Sequence, residues 1–281
     1  MKFGMNLQLW TLHVTEQHYP LLADLKEIGF DGVEMYLGQG DEAHYKALGA
    51  ELDRLGLERC AITACEPDKN PISPDPAVRK AAGEHLSWAV DMAVAVGAKQ
   101  ISGPFHSAFK EFSGHPPTAE EYDRSAEVLR PMAEKAAAAG ITLGIEPLNR
   151  FECYLCNHVA SALEVVQRVD HPSLGMLYDT HHMHIEEKDV ADAIRRAGKH
   201  ITHVHTSEND RGRPGSGQVN WTDTFRTLQE IDYDGWLMIE SFGRTDPEFA
   251  AAIHVWRVFD EPMDVARGGL AFLKESWPPS A

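Results

Sequence analysis

At 281 residues, with 43% hydrophobic and 25% charged side chains, the chain has the composition of one large globular domain or two small ones. Its formal net charge of −17 argues against nucleic acid and an anionic membrane surface as partners, since a polyanion needs a cationic footprint that releases its counterions. No segment approaches the roughly 18 uninterrupted apolar residues of a membrane span, no signal-like leader opens the chain, and four cysteines are too few for a disulfide framework, so a cytoplasmic protein with free thiols is expected.

Residues 3–9 read as a first strand. Residues 19–28 follow with apolar positions at helical spacing (Leu21, Leu22, Leu25, Ile28) and stop at Gly29, a natural helix end. The alternation then repeats: strand 32–35, helix 44–55, strand 60–63, helix 77–96 and strand 100–103. Gly56 and Gly97 close the two helices. Residues 104–117, rich in Gly, Pro, Phe and His, are too long for a routine connection and are expected to lie across another part of the chain. Thr118-Ala119-Glu120-Glu121 is a capping box that opens a helix over 118–139, ended by Gly140. Strands follow at 142–145, 173–178, 201–204 and 236–239, with helices over 161–169, 190–197 and 221–231 between them. The tail over 249–274 reads as helical, interrupted near Pro262.

Eight strand–helix alternations without a break in composition predict one (β/α)8 TIM barrel over residues 1–281, with a C-terminal helical tail. An open doubly wound sheet would carry a Gly-rich dinucleotide turn after its first strand, and Leu9-Trp10-Thr11-Leu12-His13 is nothing of that kind.

Four of the apolar runs end on a metal-capable side chain. Gly144-Ile145 delivers Glu146, 174–178 delivers Asp179, 201–204 delivers His205 and 236–239 delivers Glu240. The C-terminal ends of barrel strands meet at one face, so these four groups are predicted to surround one point. Three bare carboxylates there would repel strongly unless a cation sat among them. Three oxygen donors and one imidazole suit Mn2+, Mg2+ or Co2+ better than a thiolate-preferring ion, and Zn2+ also accepts such ligands. Cys153 and Cys156 form a lone Cys-x-x-Cys with no second pair and are read as incidental. Trp10, Glu34, Glu66 and Phe105 follow the first four strands as candidates to line the pocket. Residues 212–217 lack the Gly-Lys-Ser/Thr of a phosphate loop and are read as a mobile loop near the mouth. No compact Arg/Lys cluster marks a phosphate pocket.

Glu146-Pro147-Leu148-Asn149-Arg150-Phe151-Glu152, Leu155-Cys156-Asn157, Asp179-Thr180-His181-His182-Met183-His184-Ile185-Glu186-Glu187, His205 with Glu208 and Arg211, Pro214-Gly215-Ser216-Gly217 and Val255-Trp256-Arg257 together resemble the ketose 3-epimerases, the D-tagatose and D-psicose 3-epimerase group of the xylose-isomerase-like barrels. The likeness runs from strand five to the tail and is weaker in the first half. It implies a divalent metal, usually Mn2+, on Glu146, Asp179, His205 and Glu240. It makes Glu146 and Glu240 the acid/base pair and gives Glu152, His182 and Arg211 contacts to the sugar oxygens. It implies a homodimer or homotetramer. The chain departs from the family at Ser207, Asp210 and Ser241, none of which is expected to touch a ligand.

The resulting expectation is an isomerase that inverts C3 of a free ketose through an enediolate. Rivals on the same barrel are an aldose–ketose isomerase, a 3-keto-glycoside epimerase or lyase, a metal-dependent endonuclease and a non-catalytic sugar-binding barrel. The first wants a second metal site, and the endonuclease wants more histidines and a basic groove.

Overall fold

Every expected strand forms, and each pairs with its sequence neighbours until the sheet closes on itself. The strands are β1 (Lys2–Asn6), β2 (Gly32–Tyr36), β3 (Glu58–Ile62), β4 (Gln100–Gly103), β5 (Thr142–Ile145), β6 (Leu174–Asp179), β7 (Ile201–Thr206) and β8 (Trp236–Ile239). All pairings are parallel, and the seam joins Met5 of β1 to Ile239 of β8. This computed structural model describes residues 1–277, so the last four positions of the expected 1–281 domain lie outside the described residues.

Helices α1 (Tyr19–Ile28), α2 (Glu42–Leu55), α3 (Pro76–Val96), α4 (Ala119–Ala138), α5 (Val159–Val169), α6 (Thr180–Glu186), α7 (Val190–Ala197), α8 (Trp221–Glu230), α9 (Pro247–Ala252) and α10 (Pro262–Ser276) complete the chain. Their inner faces bury Leu22 and Leu25 of α1, Leu48 and Leu52 of α2, Leu86 and Val90 of α3 and Leu129 of α4. Each such side chain contributes about 1.5–3 kcal/mol over its exposed state. The capping box of α4 forms as expected, with Thr118 N donating to Glu121 at 2.8 Å and Glu121 N donating to Thr118 Oγ1 at 3.3 Å. Among the described residues no helix is long and apolar enough to cross a membrane. All four cysteines are free and buried.

Two expectations change. The first strand ends at Asn6, because the Asn6 carboxamide accepts the Gln8 N–H at 2.8 Å and turns Leu7–Leu9 into a 3₁₀ segment. The short α6 is an added element, capped by Asp179. The tail is interrupted just before Pro262, as expected, with α9 and α10 on either side of an irregular stretch.

The pairing of β6 with β7 is uneven. Met176 pairs with Ile201, Leu177 with His203 and Asp179 with His205, so Thr202 is one residue extra on β7. Two glycines make room for it. A Cβ on Gly175 would lie 2.4 Å from the His200 carbonyl oxygen and 2.5 Å from Thr202 Cγ2, and one on Gly144 would lie 2.8 Å from Thr202 Oγ1. The Thr202 hydroxyl donates to the Leu143 carbonyl at 3.1 Å.

Candidate active site

Glu146 immediately follows β5, Asp179 ends β6, His205 lies near the end of β7 and Glu240 immediately follows β8. All four are buried at the C-terminal mouth of the barrel, and one ligand atom from each lies within 4.8 Å of the others. Ligands across an ion with bonds of about 2.1–2.4 Å are about 4.2–4.8 Å apart, so the spacing fits one divalent cation. His205 Nδ1 is 3.1 Å from Glu240 Oε1, 3.7 Å from Asp179 Oδ2 and 3.9 Å from Glu146 Oε1. It is a buried nitrogen without a hydrogen-bond partner. The residues present therefore fit a cation in both spacing and donor chemistry.

The charges point the same way. Burial, and then the Glu240 carboxylate, push Glu146 well above the usual carboxylate range. Burial also acts to raise Asp179, but Arg211, His182 and His205 outweigh it and hold the group well below that range. For His205 burial acts to lower the pKa, yet the carboxylates of Glu240 and Glu34 raise it well above that of a free imidazole. The cluster draws positive charge into its centre.

Asp179 divides its two oxygens. Oδ1 accepts the N–H groups of His181 and His182 at 2.6 and 3.2 Å, capping α6, while Oδ2 turns toward the centre. Arg211 is buried beside it on a backbone with φ of +66°, a left-handed conformation that costs a non-glycine residue energy. Its Nη1 donates to Asp179 Oδ2 at 3.0 Å and to Glu240 Oε2 at 2.7 Å. Its Nη2 is 2.8 Å from His182 Nε2, and its guanidinium lies 4.7 Å from the centre of the Phe242 ring. His182 is fully buried, with Nε2 3.6 Å from Glu146 Oε1 and Nδ1 3.9 Å from Glu152 Oε2. Burial and the nearby Arg211 charge lower its pKa well below the free value. Glu152 sits nearer the rim, and burial raises its pKa.

Ser207 corrects the expectation. Its hydroxyl is 3.1 Å from Asp179 Oδ2 and 2.8 Å from the Glu240 carbonyl, and it accepts from Arg211 Nη1 at 2.9 Å. Two residues beyond His205, it returns to the same face of the extended chain. Asp210 and Ser241 touch no ligand: Asp210 accepts the Gly212 N–H and faces Arg257, and Ser241 donates to the Gly212 carbonyl.

Behind the ligands lies a second buried layer that sequence reasoning largely missed. Glu34 Oε2 accepts from His205 Nε2 at 2.7 Å and from Asn6 Nδ2 at 2.8 Å. His203 Nε2 lies 2.9 Å from Glu34 Oε1 without the alignment of a hydrogen bond. Burial acts to raise Glu34, but the two imidazoles prevail and lower it. His106 Nε2 is 2.9 Å from the Glu146 carbonyl oxygen and steadies the end of β5. A charged residue inside a short buried strand was the available signal for Glu34, whereas nothing local marked Asn6 or His106.

A cavity of about 270 Å³ opens above the cluster, walled by Tyr36, Phe109, Leu148, Phe242, Phe249 and Ile253. Of the four pocket candidates from the first half, Glu66 lines this cavity, Glu34 supports His205, Phe105 is wholly buried and Trp10 packs against the core. The 104–117 segment does lie across the barrel: Lys110 N–H donates to the Glu152 carbonyl at 2.8 Å, and Lys110 Nζ donates to the Ala252 carbonyl at 2.5 Å. Residues 212–217, read from sequence as a mobile loop, are anchored at Gly215, whose N–H donates to Glu208. The Glu208 carboxylate accepts five N–H groups, from Asn209, Gly215, Gln218, Val219 and the Trp221 indole.

The family model for xylose isomerase-like TIM barrels matches residues 22–276. A probable ketose 3-epimerase of Synechocystis sp. is 34% identical over 281 residues, 99% of this chain and 97% of the relative. A ketose 3-epimerase of Arthrobacter globiformis is 32% identical over 92% of this chain and 90% of its own. Among solved structures, a D-allulose 3-epimerase from Methylomonas sp. in complex with D-allulose superposes with a TM-score of 0.92 at 27% identity, covering 99% of this chain and 97% of that one.

Proposed function

The chain belongs to the xylose isomerase-like TIM-barrel family and groups there with the ketose 3-epimerases, and on that premise we propose that it is a metal-dependent epimerase inverting C3 of a free ketose. The observation that carries this reading is the pairing of Glu146 with Glu240 at one buried centre. They stand at the ends of β5 and β8, three positions apart around a ring of eight strands, and so approach the mouth from nearly opposite sides. One carboxylate takes the C3 proton, and the C–H electron pair becomes the C2–C3 double bond of a planar enediolate. The other returns a proton to the opposite face of C3, remaking the C–H bond with inverted configuration. The direction of reaction decides which glutamate is the base.

Glu146, Asp179, His205 and Glu240 would hold one divalent cation, with Mn2+ our assignment. When bound, it supplies Lewis-acid polarisation of the carbonyl and the adjacent hydroxyl. Arg211, His182 and Glu152 contact the sugar oxygens near the reacting carbons. Arg211 is the sole cation among the described residues lining the cavity, and Asp179 and Glu240 already engage it. Glu66, Glu146, Glu152 and Glu240 surround the same space, which disfavours a phosphoryl group and supports an unphosphorylated sugar. The volume is small for a ligand site and suits a monosaccharide. Free, buried thiols support a cytoplasmic location. We carry the homodimer or homotetramer over from the family likeness alone.

Incubating metal-loaded protein with D-fructose, D-tagatose, D-psicose and L-ribulose in deuterated water tests the reading. We expect the C3 epimer with deuterium at C3. Neither epimer nor carbon-bound deuterium across the panel would reject it, and deuterium at C1 would identify an aldose–ketose isomerase instead.

A further inference from the structure

The imidazole of His182 is surrounded by hydrogen-bond donors. Its Nδ1 is 3.0 Å from the Asn149 backbone nitrogen and 3.0 Å from Asn149 Nδ2. Asn149 Oδ1 accepts the Phe151 N–H at 3.0 Å, which orients the carboxamide with its NH2 group toward the ring. On the other side, Nε2 is 2.8 Å from Arg211 Nη2. Neither an amide nor a guanidinium gives up its protons, whereas a neutral imidazole offers one lone pair and one N–H. Both ring nitrogens therefore face fixed donors, and one contact must open when the ring's own proton is counted.

The Asn149 side is the rigid one. One of its donors is main chain, the residue is buried, and Oδ1 is already engaged. The Arg211 side can yield, because Nη1 alone carries its contacts to Asp179, Ser207 and Glu240. Among the described residues the acceptor placed to draw the proton to Nδ1 is Glu152 Oε2, and at 3.9 Å it is beyond hydrogen-bond reach.

We propose that Asn149 is a positioning residue that locks His182 as the Nε2–H tautomer, so that His182 Nε2–H and Arg211 Nη2–H form a paired-donor cradle for one oxygen of the sugar. Two N–H groups aimed at the same point repel until an acceptor comes between them. A ketone or enediolate oxygen there gains two hydrogen bonds and relieves the repulsion, and the gain grows as negative charge develops on the oxygen. A ligand offering an N–H or a protonated group at that point gains nothing. The assignment of the oxygen to a sugar rests on the proposed function; the tautomer rests on Asn149 alone.

The test is nitrogen NMR of the histidine rings in the full chain, labelled with 15N-histidine and loaded with diamagnetic Mg2+, with His182 assigned by the signal lost in His182→Gln. We expect Nε2 protonated and Nδ1 unprotonated. A protonated Nδ1 overturns the proposal, and this measurement needs no variant to fold. Asn149→Asp keeps the acceptor for Phe151 N–H and puts a second acceptor where the ring now meets a donor. It should move the proton toward Nδ1 and lower kcat by about 100-fold or more, by analogy with tautomer reversal in a catalytic triad, with Mn2+ affinity unchanged. An unmoved proton together with an unmoved kcat would also overturn the proposal. An Nε2–H ring in a protein that epimerises no ketose refutes the proposed function and leaves this inference standing, whereas an Nδ1–H ring in an active epimerase refutes only the inference.

Discussion

Glu34→Gln keeps the shape of a buried side chain that touches three others and removes its charge. In the native chain Glu34 Oε2 accepts from His205 Nε2 and Asn6 Nδ2 at 2.7 and 2.8 Å. It thereby keeps the His205 proton on Nε2 and leaves Nδ1 to face Glu146, Asp179 and Glu240. A glutamine oxygen in the same place still accepts both bonds, and its NH2 group then faces His203 Nε2, which stands 2.9 Å from the present Oε1. The tautomer survives, but the carboxylate's electrostatic push on the imidazole does not. Partners of this kind are worth about 10–100-fold in metal affinity, or about 1.4–2.8 kcal/mol. Titration calorimetry of chelator-stripped protein with Mn2+ should show a dissociation constant raised by about that factor, with the circular dichroism of the metal-free chain unchanged. An affinity within about twofold of the native value would refute the reasoning, because Glu34 would then not act on the metal through His205.

Three further outcomes are expected. Glu146→Gln should weaken Mn2+ binding and abolish turnover, while Glu152→Gln should spare the metal and raise KM or lower kcat; equal metal loss in both, read by calorimetry, would mean that the roles are misassigned. In Glu208→Gln the amide NH2 must replace one oxygen, leaving Gly215 and Trp221, or else Asn209 and Val219, unsatisfied at about 1–3 kcal/mol each at neutral pH in urea melts. Burial acts to raise Glu208, but the N–H groups of Val219, Asn209, Trp221 and Gly215 prevail and depress its pKa. The native advantage should therefore be fully present above the unfolded glutamate value of about 4.3 and vanish as pH falls through the folded one. Gly175→Ala drives a methyl to 2.4 Å from the His200 carbonyl oxygen and should cost about 1–3 kcal/mol in thermal unfolding, with loss of metal affinity as β6 and β7 separate.

The four ligand positions are legible because each closes an apolar run, and the barrel converts four strand ends into one point. Helices α1 to α3 are legible from glycines that end them, since a left-handed C-cap is a local requirement: Gly29, Gly56 and Gly97 have φ of +104°, +66° and +79°. Helix α6 is not legible, because its cause is Asp179 capping a seven-residue turn while that same side chain serves the centre. Ser207 escapes a reading that stops at the strand end, although alternation continues one step further and brings it to Asp179. Glu34 looks like a rim residue until β7 is laid against it, and its contact with His205 spans 171 positions of chain. Asn149 sits in plain view within the family-like motif, yet its work depends on where the His182 ring lands.

Thr202 is an instruction about parity. With even pairing from Met176–Ile201 onward, Asp179 would stand opposite Val204 in place of His205. Side chains alternate faces along a strand, so a shift of one exchanges the set pointing at the centre for the set pointing away. His203 and His205 would leave the interior together, and the centre would lose its nitrogen donor while every ligand residue remained in the sequence. Gly144 and Gly175 are then the clearance that the extra residue demands, which makes three positions outside the ligand set conditions for binding a metal. In this barrel a slip of β7 by one residue would rewrite the coordination sphere more thoroughly than most substitutions could.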